Sequence, residues 1–233
     1  MRGSWVLSVA LPLLAPAGAE TAPAPRLTLP ANLPQGWYAT IETSLGTIVA
    51  RLFLEQAPQA VAHFAALAEG RLEWVDPLTG TTKKGNYYDG IKVHLAAAGQ
   101  RFEAGDPTGT GRGAPPIWVP RETRGPMNFD APWRLGMTRA SGGRVSGVLF
   151  FVTAAGLSFL NGDHPCFGEV VAGRDVVISI CSVKTGPGGK PIDPVVIERI
   201  RIHSVGDPIP LPEPVRYTPP RHTFGLKETP AKP

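Results

Sequence analysis

Leu149-Phe150-Phe151-Val152-Thr153, then Leu157-Ser158-Phe159-Leu160-Asn161-Gly162-Asp163-His164, then Phe167-Gly168-Glu169-Val170-Val171, is the stretch on which the reading of the fold turns. A short apolar strand, a loop with two apolar side chains and a histidine, and a second strand would form one wall of a shallow apolar pocket. Taken alone, the same run is equally a core strand followed by a loop. The order and spacing of the neighbouring segments decide between the two.

Residues 37–42 and 46–54 alternate side chains around Ser44-Leu45-Gly46 and read as a β-hairpin. Pro58 suits the first turn of a helix, and Val61, Phe64, Leu67 and Ala68 recur at helical spacing until Gly70 stops it. His63 falls off that stripe and is expected to be solvated. Residues 71–86 are polar and read as a surface loop, and 91–97 as a strand. Glycines at 99, 105, 109, 111 and 113 suggest tight turns on a rim. A phosphate-cradling loop would need a Gly-Lys-Ser/Thr that this segment lacks. Residues 134–140 and 148–153 read as two strands. Val176, Val177 and Ile180 suit either a short helix or a strand, and 195–203 read as the last strand. This order argues for a mainly β fold, a closed barrel with helices at its ends.

At 233 residues the chain fits one domain with tails, and its 27 Gly and 26 Pro concentrate outside the expected core. Arg2, a short apolar run from Trp5 and Ala17-Gly18-Ala19 have the form of a secretory signal cut after Ala19. That predicts an exported protein, periplasmic or secreted, with no membrane span in the mature chain. Residues 20–36 are a Pro/Ala-rich linker, 37–205 the folded domain, and 206–233 a proline-rich tail expected to be disordered. Cys166 and Cys181 leave a single disulfide open without deciding it. A net charge of +4 with dispersed basic residues gives no nucleic-acid footprint. The histidines at 63, 94, 164, 203 and 222 lack metal-ligand spacing, and Ser158 near His164 lacks a nucleophile elbow, so neither a metal nor a cofactor is expected.

Across residues 37–205 the chain resembles the cyclophilin family of peptidyl-prolyl isomerases. The matching landmarks are Ala57-Pro58, His63-Phe64-Ala65-Ala66-Leu67, Tyr88-Asp89-Gly90, His94, Gly105-Asp106, Gly109-Thr110-Gly111, Met137-Thr138-Arg139, Phe150-Phe151-Val152-Thr153, Phe159-Leu160-Asn161-Gly162, His164 and Phe167-Gly168-Glu169-Val170. The resemblance implies a closed eight-stranded antiparallel barrel capped by two helices. It also implies X-Pro bonds of proline-containing polypeptides as substrate, a chain acting as a monomer, and Phe151, Leu160, His164 and Phe159 as pocket residues. The proline-rich tail is a further candidate occupant of that pocket.

The polar half of the family's pocket is altered. Leu95 stands where the family carries its catalytic arginine, Gln100 and Glu103 where it carries an aromatic and a glutamine, and Leu149 where it carries another glutamine. Three readings follow. The chain is an isomerase, of full or weak activity, with Arg101 supplying the missing guanidinium; or a non-catalytic binder or chaperone that holds proline segments on Phe151, Leu160 and His164; or an interaction module whose old site is filled by Leu95 and Leu149. His94 is expected to be a core or supporting histidine.

Overall fold

The computed structural model describes residues 29–139 and 143–216. The predicted signal, most of the linker and the tail beyond Arg216 lie outside the described residues.

β1 (Gly36–Thr43) and β2 (Gly46–Leu52) form the predicted hairpin. Thr43 closes its turn, its hydroxyl donating to Gly46 O at 2.7 Å and accepting from Leu45 N–H. Then follow α1 (Pro58–Ala68), β3 (Trp74–Val75), β4 (Thr82–Lys83), β5 (Ile91–Lys92), β6 (Leu95–Ala97) and β7 (Arg101–Ala104). β8 (Trp118–Val119), β9 (Arg134–Arg139), β10 (Val145–Thr153), β11 (Cys166–Ala172), α2 (Arg174–Cys181) and β12 (Val196–Val205) complete the order.

Ten of these strands form one curled antiparallel sheet in the order β5-β12-β1-β2-β11-β9-β10-β7-β6, with β8 on β10. Its end strands are neighbours in sequence. Val93 N–H donates to Val195 O at 2.9 Å and His94 N–H to Glu103 O at 3.0 Å, so residues 91–97 pair with β12 at one end and β7 at the other. The expected eight-stranded barrel thus takes the form of a ten-stranded curled sheet whose path begins and ends in this one run.

The inside of the curl is filled by aromatic rings. Phe64 of α1 lies 5.2 Å from Tyr88, 5.4 Å from Phe150 and 5.2 Å from Phe167, in tilted and edge-on arrangements that suit ring quadrupoles. Small side chains let α1 sink in deeply: every residue from Ala60 to Ala68 is buried. His63 is therefore not solvated. It is 2 % exposed, and its Nδ1 contacts Gln59 O at 2.8 Å, one helical turn back. The helix start is held from a loop, because Glu122 accepts from the N–H groups of Gln59 and Ala60.

Three segments differ from their sequence reading. Residues 71–86 contain the β3–β4 hairpin, whose Trp74 packs edge-on against Tyr87 at 4.9 Å. The glycine-rich segment after 99 contains β7, which strand periodicity misses because turns enclose a run of only four residues. The start of the tail is docked: Trp37 Nε1 donates to Ile209 O at 2.8 Å, Leu211 packs on the core, and Val215 N–H donates to Gln59 Oε1 at 2.9 Å. Cys166 and Cys181 are free and buried, and burial raises their thiols to about 12 and about 11, so neither is a ready nucleophile.

Candidate active site

Strand register determines the site. Leu95 of β6 pairs with Glu103 of β7, Glu103 with Phe151 of β10, Phe151 with Gly136 of β9, and Gly136 with Cys166 of β11. Paired residues share a sheet face, so these five form one row across the outside of the curl. Neighbours of alternate parity, Phe102, Phe150 and Leu135, belong to the main core. Phe151 instead joins Phe129, Leu157, Leu160 and Cys166 in a separate outer cluster. Gly136 makes room for it: a Cβ there would lie 2.2 Å from Phe151 Cζ and 2.7 Å from Phe129 Cζ.

Phe151 is the floor, with two side chains closing over it. His164 meets the ring edge-on at 5.4 Å and its Nδ1 contacts Met137 O at 2.9 Å. Burial lowers the His164 pKa, partly opposed by that contact, so the ring is neutral at pH 7 and Nδ1–H donates to the carbonyl. On the other side the Arg101 guanidinium carbon stands 6.0 Å from the Phe151 ring centroid, within cation–π range. Phe151 is left 1 % exposed.

Arg101 is held by Glu103, its Nε donating to Oε1 at 2.8 Å, and the other carboxylate oxygen faces His94 Nε2 at 3.7 Å. Burial acts to raise the Glu103 pKa, but His94 and Arg101 together outweigh it and the pKa is lowered. The carboxylate is thus charged at neutral pH and fixes the guanidinium by a charge-assisted bond. His94 is a supporting residue, 8 % exposed, beneath this pair.

The remaining candidates separate. Leu160 is buried in the outer cluster beside Phe151, and Phe159 is 68 % exposed on the one-turn helix that carries both. Gln100 is exposed in the turn between β6 and β7, where its carbonyl accepts from Ala154 N–H. Leu95 is half-buried, and a Cβ on Gly189 would lie 3.5 Å from its Cγ, so it sits beside the loop at residues 187–189. Leu149 corrects the expectation that it lines the pocket. It is 5 % exposed in the main core, because β10 shifts register between Val145 and Phe150 and the Gly105 backbone lies close over Leu149 Cα.

An open concavity of about 210 Å³ adjoins this seat through His164 and Phe129. Thr123, Gly125, Met127, Asn128, Asn161, Gly162 and Cys166 complete its lining. Sequence reasoning did not single out its Thr123–Phe129 wall, which carries no periodic signal. Among the described residues no group of three His, Cys, Asp or Glu side chains is placed to hold a metal, and no helix is long and apolar enough to cross a membrane.

A curled antiparallel sheet thus carries on its outer face an aromatic seat flanked by a guanidinium and a neutral imidazole. Residues 38–202 match the family model for cyclophilin type peptidyl-prolyl cis-trans isomerase, and the chain belongs to that family. Peptidyl-prolyl cis-trans isomerase B of Streptomyces anulatus is 38% identical over 170 residues, covering 72% of this chain and 97% of the relative. Peptidyl-prolyl cis-trans isomerase A of Mycobacterium tuberculosis is 38% identical over 166 residues, covering 70% and 91%. A cyclophilin-type isomerase of Cryptosporidium parvum, crystallised in the presence of the dipeptide Ala-Pro, is similar with a TM-score of 0.60 and 29% identity over 72% of this chain and 99% of that one.

Proposed function

We propose that this chain is an exported cyclophilin-type isomerase of X-Pro bonds in which Arg101 supplies the catalytic guanidinium. One observation carries the reading: Arg101, clamped by Glu103 at 2.8 Å, holds its guanidinium over the Phe151 ring. Rotation about an X-Pro bond breaks amide resonance, against a barrier of roughly 18–20 kcal/mol. No bond to the enzyme is required. The site must favour the twisted amide over both planar forms. Twisting localises a lone pair on the proline nitrogen, which then accepts a hydrogen bond that the planar amide does not, so a donor at that point acts in the transition state. Glu103 takes one of the five guanidinium donors, leaving others for the nitrogen.

Proline entry requires the Arg101 side chain to turn aside from the ring face it covers. In this reading it then stands beside the imide it serves, and turnover is slow. The Ala-Pro dipeptide present with the Cryptosporidium relative supports a proline ligand for the same kind of seat here. Export is supported by Arg2, the apolar run from Trp5 and Ala17-Gly18-Ala19. A processed chain beginning at Glu20, found outside the cytoplasm on fractionation, is the expected outcome; an intact N-terminus in the cytosol would remove the export reading.

A second reading is favoured by the 1 % exposure of Phe151: a seat closed by Arg101 that binds proline segments weakly and catalyses nothing. Exchange NMR on X-Pro peptides separates the two. Wild-type acceleration that falls about a hundredfold in Arg101→Ala supports the isomerase. Peptide shifts with no wild-type acceleration support the binder.

A further inference from the structure

The strongest unassigned feature is the open cleft beside His164. One wall is residues 123–129 and the other residues 161–166, and an ion pair bridges them at their edge, Arg121 Nη1 to Asp163 Oδ1 at 3.4 Å. Arg139 Nη1 reaches the other oxygen of the same carboxylate at 2.7 Å. Arg121 Nη2 also donates to Gly143 O at 3.2 Å, and a Cβ on Gly143 would lie 3.3 Å from an Arg139 nitrogen and 3.9 Å from an Arg121 nitrogen. The two guanidiniums therefore converge on one spot and share one carboxylate.

Other nearby carboxylates are committed elsewhere. Glu122 accepts from the first N–H groups of α1, and Asp130 accepts from the side-chain amides of Asn128 and Asn161. Among the described residues, one positive charge of this arginine pair is left without a carboxylate of its own. Arg121 and Arg139 keep 45% and 34% of their side-chain surface exposed, so both reach solvent. Inside the cleft, Thr123, Asn128 and Asn161 supply neutral polar groups.

We infer that this cleft is a subsite for client residues flanking the proline, and that Arg121 and Arg139 select a carboxylate side chain there. The inference rests on the reading that a client places its proline on Phe151, because His164 and Phe129 belong to both the seat and the cleft. Asp163, the carboxylate that the arginine pair shares, directly precedes His164 in the chain, which sets the pair beside the seat. An acidic side chain then supplies the second carboxylate that the two guanidiniums lack.

The test is NMR titration and exchange with a neutral Ala/Gly-flanked X-Pro peptide and with Glu or Gln placed singly at three positions on each side. At low salt, Glu at one or two adjacent positions on one side is expected to bind roughly two- to fivefold more tightly than Gln there, as for a partly exposed ion pair. The preference should shrink as ionic strength rises and vanish in Arg121→Gln/Arg139→Gln, with the Gln peptides binding that variant as they bind wild type. Asp163→Asn, which removes the competing carboxylate, should widen it. Equal binding of Glu and Gln peptides at every position overturns the inference, as does a Glu preference insensitive to salt. Because affinity is read from shifts and catalysis from exchange, a Glu preference without acceleration overturns the isomerase reading and leaves the subsite standing.

Discussion

Phe150 and Phe151 are consecutive residues on one strand with opposite duties. Phe150 packs edge-on to Phe64 at 5.4 Å and to Tyr88 at 5.5 Å inside the curl, within the main hydrophobic core. Phe151 faces outward, packs with Phe129, Leu157, Leu160 and Cys166, and is closed over by an arginine and a histidine. Both are nearly inaccessible to water. The difference is what covers them: packed rings that cannot leave in one case, flexible or polar side chains in the other. Burial alone therefore does not tell the two rings apart, and the nature of the cover does.

The contrast breaks first if truncating the two rings has equal cost. Phe150→Ala should destabilise the fold by about 3–5 kcal/mol and Phe151→Ala by about 2 kcal/mol, since water can enter the second cavity once Arg101 moves. Equal shifts in denaturant midpoint would mean that Phe151 is simply more core. Arg101→Ala should lower kcat/KM by about 10²–10³-fold, or 2.7–4 kcal/mol of transition-state stabilisation. Its unfolding midpoint should stay within about 0.5 kcal/mol of wild type. Loss of stability without loss of rate would turn the guanidinium into a structural lid.

Gly136→Ala sharpens the comparison from below the ring. Its new methyl would collide with both Phe151 and Phe129, so we expect about 1–3 kcal/mol of destabilisation together with weaker peptide binding. Unchanged peptide affinity would show that the outer cluster does not floor the site. Glu103→Gln has the smallest expected effect, a roughly tenfold fall in kcat/KM from loosening Arg101. The pH profile checks its cause. Because the folded-state pKa of Glu103 is lowered, its clamp on Arg101 is complete above the ordinary glutamate range and is lost as pH falls through that lowered value. Wild-type activity should therefore decline on acidification, and the Gln variant should lack that limb.

Much of this architecture was legible in the chain itself. Alternation over residues 37–54 and helical spacing from Pro58 marked the hairpin and α1, because both are local patterns of side-chain burial. The helix at 174–181 stayed ambiguous because Val176, Val177 and Ile180 suit either period, and the partner that resolves it is distant in sequence. Phe151, Leu160 and His164 were recognisable as a set, whereas β7 was hidden between turns although it carries Arg101 and Glu103. Leu149 was assigned to the pocket from the family resemblance, and its packing in the main core beside a register shift in β10 is visible only once the strands are paired.

By itself the sequence determined the family and the mainly β class, since each is a matter of residue identity and short-range order. Tertiary structure alone decided what surrounds Phe151. Arg101, Glu103, Phe151, Gly136 and His164 come from three strands and a loop, and they meet because a residue's face on a sheet depends on the register of its neighbours. The sharing of Asp163 by Arg121 and Arg139 is likewise invisible in a list of charges, because electrostatic competition depends on distance and not on composition.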